Sequence, residues 1–61
     1  MNNYAAYFLA LGVQHWESSR RGNLWRAYAV DQSGEKVQVT GYLTEQLAIE
    51  AALAELSARV H

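Results

Sequence analysis

Alternation of apolar and polar positions divides the chain into four segments, three typical of strands and one typical of a helix. We predict strands over residues 4–17, 24–31 and 36–43, and a helix over residues 45–60. A period of two marks the strands, whereas apolar residues three and four apart mark the helix. The expected fold is therefore α+β: a three-stranded antiparallel β-sheet with one C-terminal α-helix packed on one face, in the order βββα.

The first segment fits two conformations. Both alternating faces of its first half are apolar, and its aromatic content and lack of charge before Glu17 favour a strand. Tyr4, Phe8, Leu11 and His15 also share one side of a helix, so a helix is the alternative. We predict the strand.

Turn and cap residues separate the segments. We predict a loop over residues 18–23, where Gly22 and Asn23 supply turn chemistry. Residues 31–34 predict a tight hairpin turn, because Gly34 can adopt the positive φ that such a turn needs. Thr44 is the expected N-cap of the helix.

The helix carries one narrow apolar stripe with small residues beside it. The stripe comprises Ile49, Leu53, Leu56 and Val60, flanked by Ala48 and Ala52. Alanines allow close packing on a sheet face, which we expect to consist of Ala27, Ala29, Val37, Val39 and Gly41. A second face carries Leu47, Ala51, Ala54 and Ala58. We interpret this second face as solvent-exposed, since alanine is the best helix former, with a helix–helix contact as the alternative.

The length of the chain limits what its core can supply. We expect residues 1–61 to form a single small domain, and a core of this size rarely contributes more than about 3–5 kcal/mol. There is no cysteine, so no disulfide adds to it. Association with another chain is the remaining source of stability, which favours a protein partner or a homodimer. A cysteine-free chain also suits the reducing cytoplasm.

Few residues could support catalysis or hold a ligand. His15 and Glu17 form the one acid–base pair at suggestive spacing, and a solvated strand end explains them equally well. Two histidines without cysteine predict no metal site, and scattered glycines predict no phosphate loop or other cofactor site. The apolar N-terminal segment is too short to span a membrane and lacks the basic region of a signal peptide. We therefore expect no enzyme and no membrane association.

The sheet face opposite the helix is the candidate site. It is expected to expose Leu24, Arg26, Tyr28, Val30, Gln38, Thr40 and Tyr42. Aromatic residues and arginine are enriched in protein interfaces. The sequence thus favours a small non-enzymatic protein-binding module, similar to an adaptor or inhibitor, acting through this face or self-associating through it.

Nucleic-acid binding is the alternative function. Arg20, Arg21 and Arg26 could neutralise phosphates while Tyr28 stacks on a base, although the formal net charge is −1. The segment from Trp25 to Leu53 resembles in topology the three-stranded DNA-binding domain of plant ethylene-response factors and the arm-binding domains of tyrosine integrases. That resemblance implies an arginine-rich outer face that enters the major groove. Arg26 fits this pattern.

The same stretch is similar to the opening βββα segment of ribonuclease H. That enzyme binds metal through carboxylates on its first strand and first helix. In this chain the first predicted strand has no aspartate, and Ala48 lies near the position of the helical acid. These likenesses concern topology rather than motifs, and we assign the chain to none of these families.

Overall fold

A computed structural model describes residues 4–60, without the side chain of Val60, which the predicted helical stripe included. The elements are α1 (Tyr4–Ala10), β1 (Val13–Arg21), β2 (Leu24–Asp31), β3 (Lys36–Tyr42) and α2 (Glu45–Val60). The strands form one open sheet in the order β1-β2-β3, and both neighbouring pairs are antiparallel. Helix α2 packs against this sheet, mainly on β2 and β3. The predicted three-stranded antiparallel sheet with a C-terminal helix on one face is confirmed.

The prediction of one strand over residues 4–17 is wrong for its first half. Residues Tyr4–Ala10 form helix α1, as in the alternative interpretation. Phe8 is its one buried residue, and its ring stacks on that of Trp16 with the centroids 4.7 Å apart. Tyr4 and Leu11 pack at the margin of the same core. Burial of a single helical face, rather than aromatic content, decides the conformation of this segment.

The predicted loop over residues 18–23 is also wrong. Strand β1 continues to Arg21, and only Gly22 and Asn23 connect it to Leu24. Gly22 has φ +64°, whereas no residue other than glycine has positive φ in the described chain. A glycine first and a negative φ second fit a type II′ turn, which matches the twist of a hairpin. The polar residues before the turn therefore belong to the sheet.

Small residues bring α2 close to the sheet. The buried core consists of Phe8, Val13, Ala27, Ala29, Val37, Ala48, Ile49, Ala52 and Leu56. Four of these are alanines, two on the sheet and two on the helix, and each is at most 2% exposed. The predicted stripe is shifted toward Ala48 and Ala52, while Leu53 is only half-buried at its margin. On the second helical face, Leu47, Ala54 and Ala58 are exposed as expected, and Ala51 is half-buried.

A bulge near the end of β3 changes which face its last residues occupy. Trp25 pairs with Tyr42 but Ala27 pairs with Val39, so β3 has one residue more than β2 in this stretch. Gly41 accommodates the bulge with φ +87°. As a result Tyr42 packs with Trp25 against the core, although strict alternation places it outside. Gly41 is exposed, and its predicted place beneath the helix is wrong.

The two predicted local signals around β3 are confirmed. The β2–β3 turn is closed by the backbone bond from Gly34 N to Asp31 O (3.1 Å), and Gly34 has φ +90°. Asp31 Oδ1 accepts bonds from Ser33 and from the backbone N–H of Glu35, which lowers the pKa of its carboxyl. Thr44 Oγ1 caps α2 by accepting a bond from Leu47 N at 3.1 Å.

Candidate functional site

The outer face of the sheet is the face opposite the two helices. Helix α2 lies over Ala27 and Ala29, and Phe8 of α1 stacks on Trp16, so both helices occupy the inner face. Within residues 4–60, no helix or strand packs on the other side. The pairing register assigns the outer face to His15, Glu17, Ser19, Arg21, Leu24, Arg26, Tyr28, Val30, Lys36, Gln38 and Thr40.

The structure brings most of the predicted interface residues onto this face, and Tyr42 is the exception. Leu24, Arg26 and Tyr28 occupy alternate positions of β2, and Val30 follows them. Leu24 is 41% exposed, and Tyr28 and Val30 are half-buried by their neighbours. Whether this surface binds anything stays a prediction.

The four residues predicted for nucleic acid do not share one face. Arg20 pairs with Trp25, which packs against the core, so Arg20 lies on the side of the helices. Arg21 pairs with Leu24, and Arg26 pairs with Ser19, on the outer face. The sequence could not show that Arg20 and Arg21 lie on opposite faces, because residues 18–23 were predicted to form a loop, in which side chains do not alternate between two faces.

A hydrogen-bonded trio occupies the middle of the outer face. Glu17 and Tyr28 are directly opposed on β1 and β2, and the Tyr28 hydroxyl donates to Glu17 Oε2. His15 Nε2 lies 3.1 Å from the same oxygen and 3.3 Å from the Tyr28 hydroxyl. The two-residue turn at Gly22 and Asn23 fixes this register, because the pairing runs without a shift from Arg21–Leu24 to His15–Val30, and the bulge at Gln14 lies beyond it.

Hydrogen bonding within the trio shifts the pKa values of Glu17 and Tyr28 in opposite directions. The bond from Tyr28, followed by that from His15, stabilises the carboxylate and lowers the pKa of Glu17. The same bond to Glu17 stabilises the protonated phenol and raises the pKa of Tyr28. At neutral pH the pair therefore consists of a carboxylate and a phenol, and this state keeps the Tyr28 ring oriented.

Positive charges surround this trio. Lys36 Nζ lies 4.6 Å from the centroid of the Tyr28 ring, in a cation–π contact. Arg26 Nε donates to Ser19 Oγ at 2.9 Å, which holds the guanidinium along β1. Lys36 and Ser19 were absent from the predicted site. Lys36 alternates with Gln38, so the sequence pattern could have placed Lys36 on the outer face. Ser19 could not be placed, because residues 18–23 were predicted to form a loop.

Two shallow depressions meet at Arg26. One has a volume of about 390 Å³ and lies between β1 and β3, with a floor formed by Tyr28. Its rim combines Glu17 and Ser19 on one side with Lys36 and Gln38 on the other. The second, of about 320 Å³, lies near the β1–β2 turn and is lined by Arg21, Leu24, Trp25, Arg26, Thr40 and Gly41. Both are open to solvent.

The pair of His15 and Glu17, singled out from the sequence, is thus in contact. Its side chains are 54% and 57% exposed, and Glu17 is already bound by Tyr28. A general base needs a free acceptor aimed at a substrate, and here the shared oxygen points to two neighbours within the sheet. The arrangement orders the surface; we assign it no reaction.

Other classes of site find little support in the described residues. No three or more histidine, cysteine, aspartate or glutamate side chains gather into a metal-binding group within residues 4–60. Neither helix of this part of the chain is long and apolar enough to cross a membrane. No protein family, curated protein or solved structure matches the chain.

We expect Glu17→Gln to lower the pKa of Tyr28 toward its ordinary value near 10. In the native protein the raised pKa of Tyr28 means that the bond stabilises the fold below pH 10 and is lost as the pH rises through the folded-state value. The lowered pKa of Glu17 means that the bond is also lost at acidic pH, as the pH falls through the folded-state pKa of Glu17. NMR titration of the Tyr28 ring carbons in the native protein and in the variant measures the change. An unchanged Tyr28 titration in the variant would contradict the trio.

Proposed function

We propose that this chain is a small non-enzymatic protein-binding module whose outer face binds a protein surface that is both apolar and acidic. One observation carries the proposal: an uncovered sheet face combines an oriented aromatic ring with a majority of cations. Its apolar part is Leu24, Tyr28 and Val30, and its cations are Arg21, Arg26 and Lys36. The chain would act as an adaptor or inhibitor, in the cytoplasm expected from its lack of cysteine.

Charge distribution supports an acidic partner. The whole chain has a formal net charge of −1. On the outer face, however, the described residues include one acidic side chain, Glu17, and three basic ones, two arginines and one lysine. Complementary charge across an interface raises the association rate and discourages wrong partners. A partner with carboxylates around an apolar centre would match this pattern.

Ordering of the surface also supports binding. Tyr28 is held by Glu17 at its hydroxyl and by Lys36 at its ring, and Arg26 is held by Ser19. Side chains already fixed in the free protein lose less conformational entropy when a partner binds. Tyrosine and arginine are also the residue types most often responsible for binding energy in interfaces.

Nucleic-acid binding stays as the second candidate, because the same three cations could contact phosphates. Arg20 lies on the opposite face, and the Glu17 carboxylate occupies the centre of the surface. Both features disfavour a polyanion relative to a protein with mixed apolar and acidic character. Self-association, the other partner expected from the sequence, is compatible with either candidate.

A charge-reversal variant tests the proposal. The tagged protein, the variant Arg26→Glu/Lys36→Glu and the control Arg59→Glu are expressed in the native cells, treated with nuclease and purified with their partners. Arg59 is exposed on α2 and makes one long ion pair with Glu35 at 3.8 Å. Its reversal therefore controls for the change in net charge while leaving the outer face unaltered. We expect one main partner, recovered with the native protein and the control and depleted with the double variant.

Two results would contradict protein binding through this face. Equal recovery from the double variant and the native protein would remove the outer face as the interface. Loss of all partners after nuclease treatment, with binding of the purified chain to DNA fragments that falls steeply with salt, would favour the nucleic-acid alternative.

A further inference from the structure

Strand β1 is an edge of the sheet with a regular, unpaired side. Among residues 4–60, the order β1-β2-β3 leaves β1 without a neighbouring strand on one side. Because Gly22 and Asn23 form a two-residue turn, Arg21 and Leu24 exchange both of their backbone hydrogen bonds. The backbone groups of Trp16, Ser18 and Arg20 therefore point toward the open edge. An unpaired row of N–H and C=O groups is a template for another strand.

The two edges of the sheet differ in their ability to accept a strand. The edge formed by β3 bends at the Gly41 bulge and carries Lys36 as its one charged residue. Bulges and lysine are features that protect edges from pairing. In β1 the bulge at Gln14 precedes the stretch Trp16–Arg21, which is regular and contains both an acid and arginines. Of the two, β1 is the edge suited to pairing.

We propose that two copies of this chain join along β1, antiparallel about a two-fold axis at Ser19, to form one continuous six-stranded sheet. This register places Glu17 of each copy opposite Arg21 of the other on the outer face. Both bonds that Glu17 receives within its own chain go to Oε2, so Oε1 is available to accept a bond from the Arg21 guanidinium of the other copy. Opposite charges that face each other across strands stabilise a sheet.

The neighbouring registers lack this complementarity. A two-fold axis perpendicular to the sheet keeps the outer faces of both copies on one side. Centring the pairing on Ser18 places Glu17 opposite Ser19 and Arg21 opposite His15. Centring it on Glu17 opposes two carboxylates, and centring it on Arg20 opposes two guanidinium groups. Of these registers, the one centred on Ser19 places opposite charges of the two β1 strands against each other.

This pairing specifies the self-association named under the proposed function. It uses Glu17 and Arg21 at the margin of the outer face but neither Arg26 nor Lys36, on which the test of partner binding depends. Pairing through the β1 edge leaves the outer face uncovered, and the two outer faces become one larger surface. A chain that does not dimerise through β1 can still bind a partner through the outer face. A chain that dimerises can likewise lack a partner on that face.

Disulfide trapping tests the register. The chain has no cysteine, so Ser19→Cys and Ser18→Cys each introduce a single thiol. Directly opposed residues lie within the Cα separation that a disulfide allows, whereas two copies of residue 18 would be diagonal neighbours about 7–8 Å apart. We expect Ser19→Cys to form the covalent dimer roughly tenfold faster than Ser18→Cys under mild oxidation, measured on non-reducing gels. Equal rates would contradict the register.

Charge exchange tests the ion pairs independently. Arg21→Glu places two carboxylates opposite each other in each pair and is expected to raise the dimer dissociation constant about tenfold. The double variant Glu17→Arg/Arg21→Glu restores opposite charges and is expected to recover the dimer, measured by analytical ultracentrifugation with circular dichroism as the check on folding. A native chain that stays monomeric at millimolar concentration, or a dimer that Arg21→Glu leaves unchanged, would overturn the proposal.

Discussion

Phe8→Ala is expected to unfold the protein at room temperature. The Phe8 side chain is 1% exposed and stacks on Trp16 at an interplanar angle of 23°, and it is the one buried residue of α1. Truncation of a buried phenylalanine to alanine typically costs about 3–5 kcal/mol. A core of this size rarely supplies more than about 3–5 kcal/mol, so the loss is as large as the whole stability of the fold. Urea titration followed by tryptophan fluorescence and circular dichroism measures it.

Leu9→Ala is the matched control for this prediction. Leu9 is the next residue of α1 and is 72% exposed, so its truncation removes a similar volume from the same helix without opening a cavity. We expect a change within about 0.5 kcal/mol. A Phe8→Ala variant as stable as Leu9→Ala would show that α1 does not contribute to the core.

Ala52→Leu is expected to have the second largest effect. Ala52 and Ala48 on α2 are fully buried in the same core as Ala27 and Ala29 of β2. Because these four small side chains allow the helix to lie close to the sheet, a leucine at position 52 would force the two apart. Overpacking of this kind typically costs about 1–3 kcal/mol. A fall in the urea midpoint at constant slope reports the loss of stability.

The same substitution at Ala58 separates packing from helix propensity. Ala58 lies on the exposed side of α2, and alanine and leucine are both good helix formers. Ala58→Leu is therefore expected to change the urea midpoint little. If the two leucine variants unfold at the same urea concentration, the close approach of α2 to the sheet is wrong.

The sequence was most informative where a short local signal agreed with a buried face. The hairpin turn at Gly34, the Thr44 cap and the alternation of β2 all led to the observed βββα arrangement. Ala48 and Ala52 indicated close packing because they flank the apolar stripe of α2, unlike the alanines of its exposed face. These features depend on neighbours within a few positions, which is the range that a sequence pattern reports.

The errors have a physical reason in each case. The segment Tyr4–Ala10 is apolar on every side, so its period is ambiguous, and the Phe8–Trp16 stack decides its conformation. Polar residues before Gly22 suggested a loop although they form a strand with one solvent-exposed face. The bulge at Gly41 moves Tyr42 to the inner face, and no periodic pattern anticipates an extra residue.

The candidate site was predicted in part for the same reasons. The residues of β2 alternate regularly, so their outward positions followed from the sequence. The trio of His15, Glu17 and Tyr28 joins two strands through the β1–β2 register, which the two-residue turn sets. Register is a property of paired strands and is invisible in a single segment.

Site-specific photo-crosslinking shows whether the outer face binds a protein. A photoreactive amino acid replaces Val30 on the outer face or Ala58 on α2, and the protein is irradiated in its native cells. Crosslinks are identified by mass spectrometry after nuclease treatment. We expect a protein to be crosslinked through position 30 but not through position 58, and this crosslink to be lost when Arg26→Glu/Lys36→Glu is added. Equal crosslinking from both positions, or none from position 30, would contradict it.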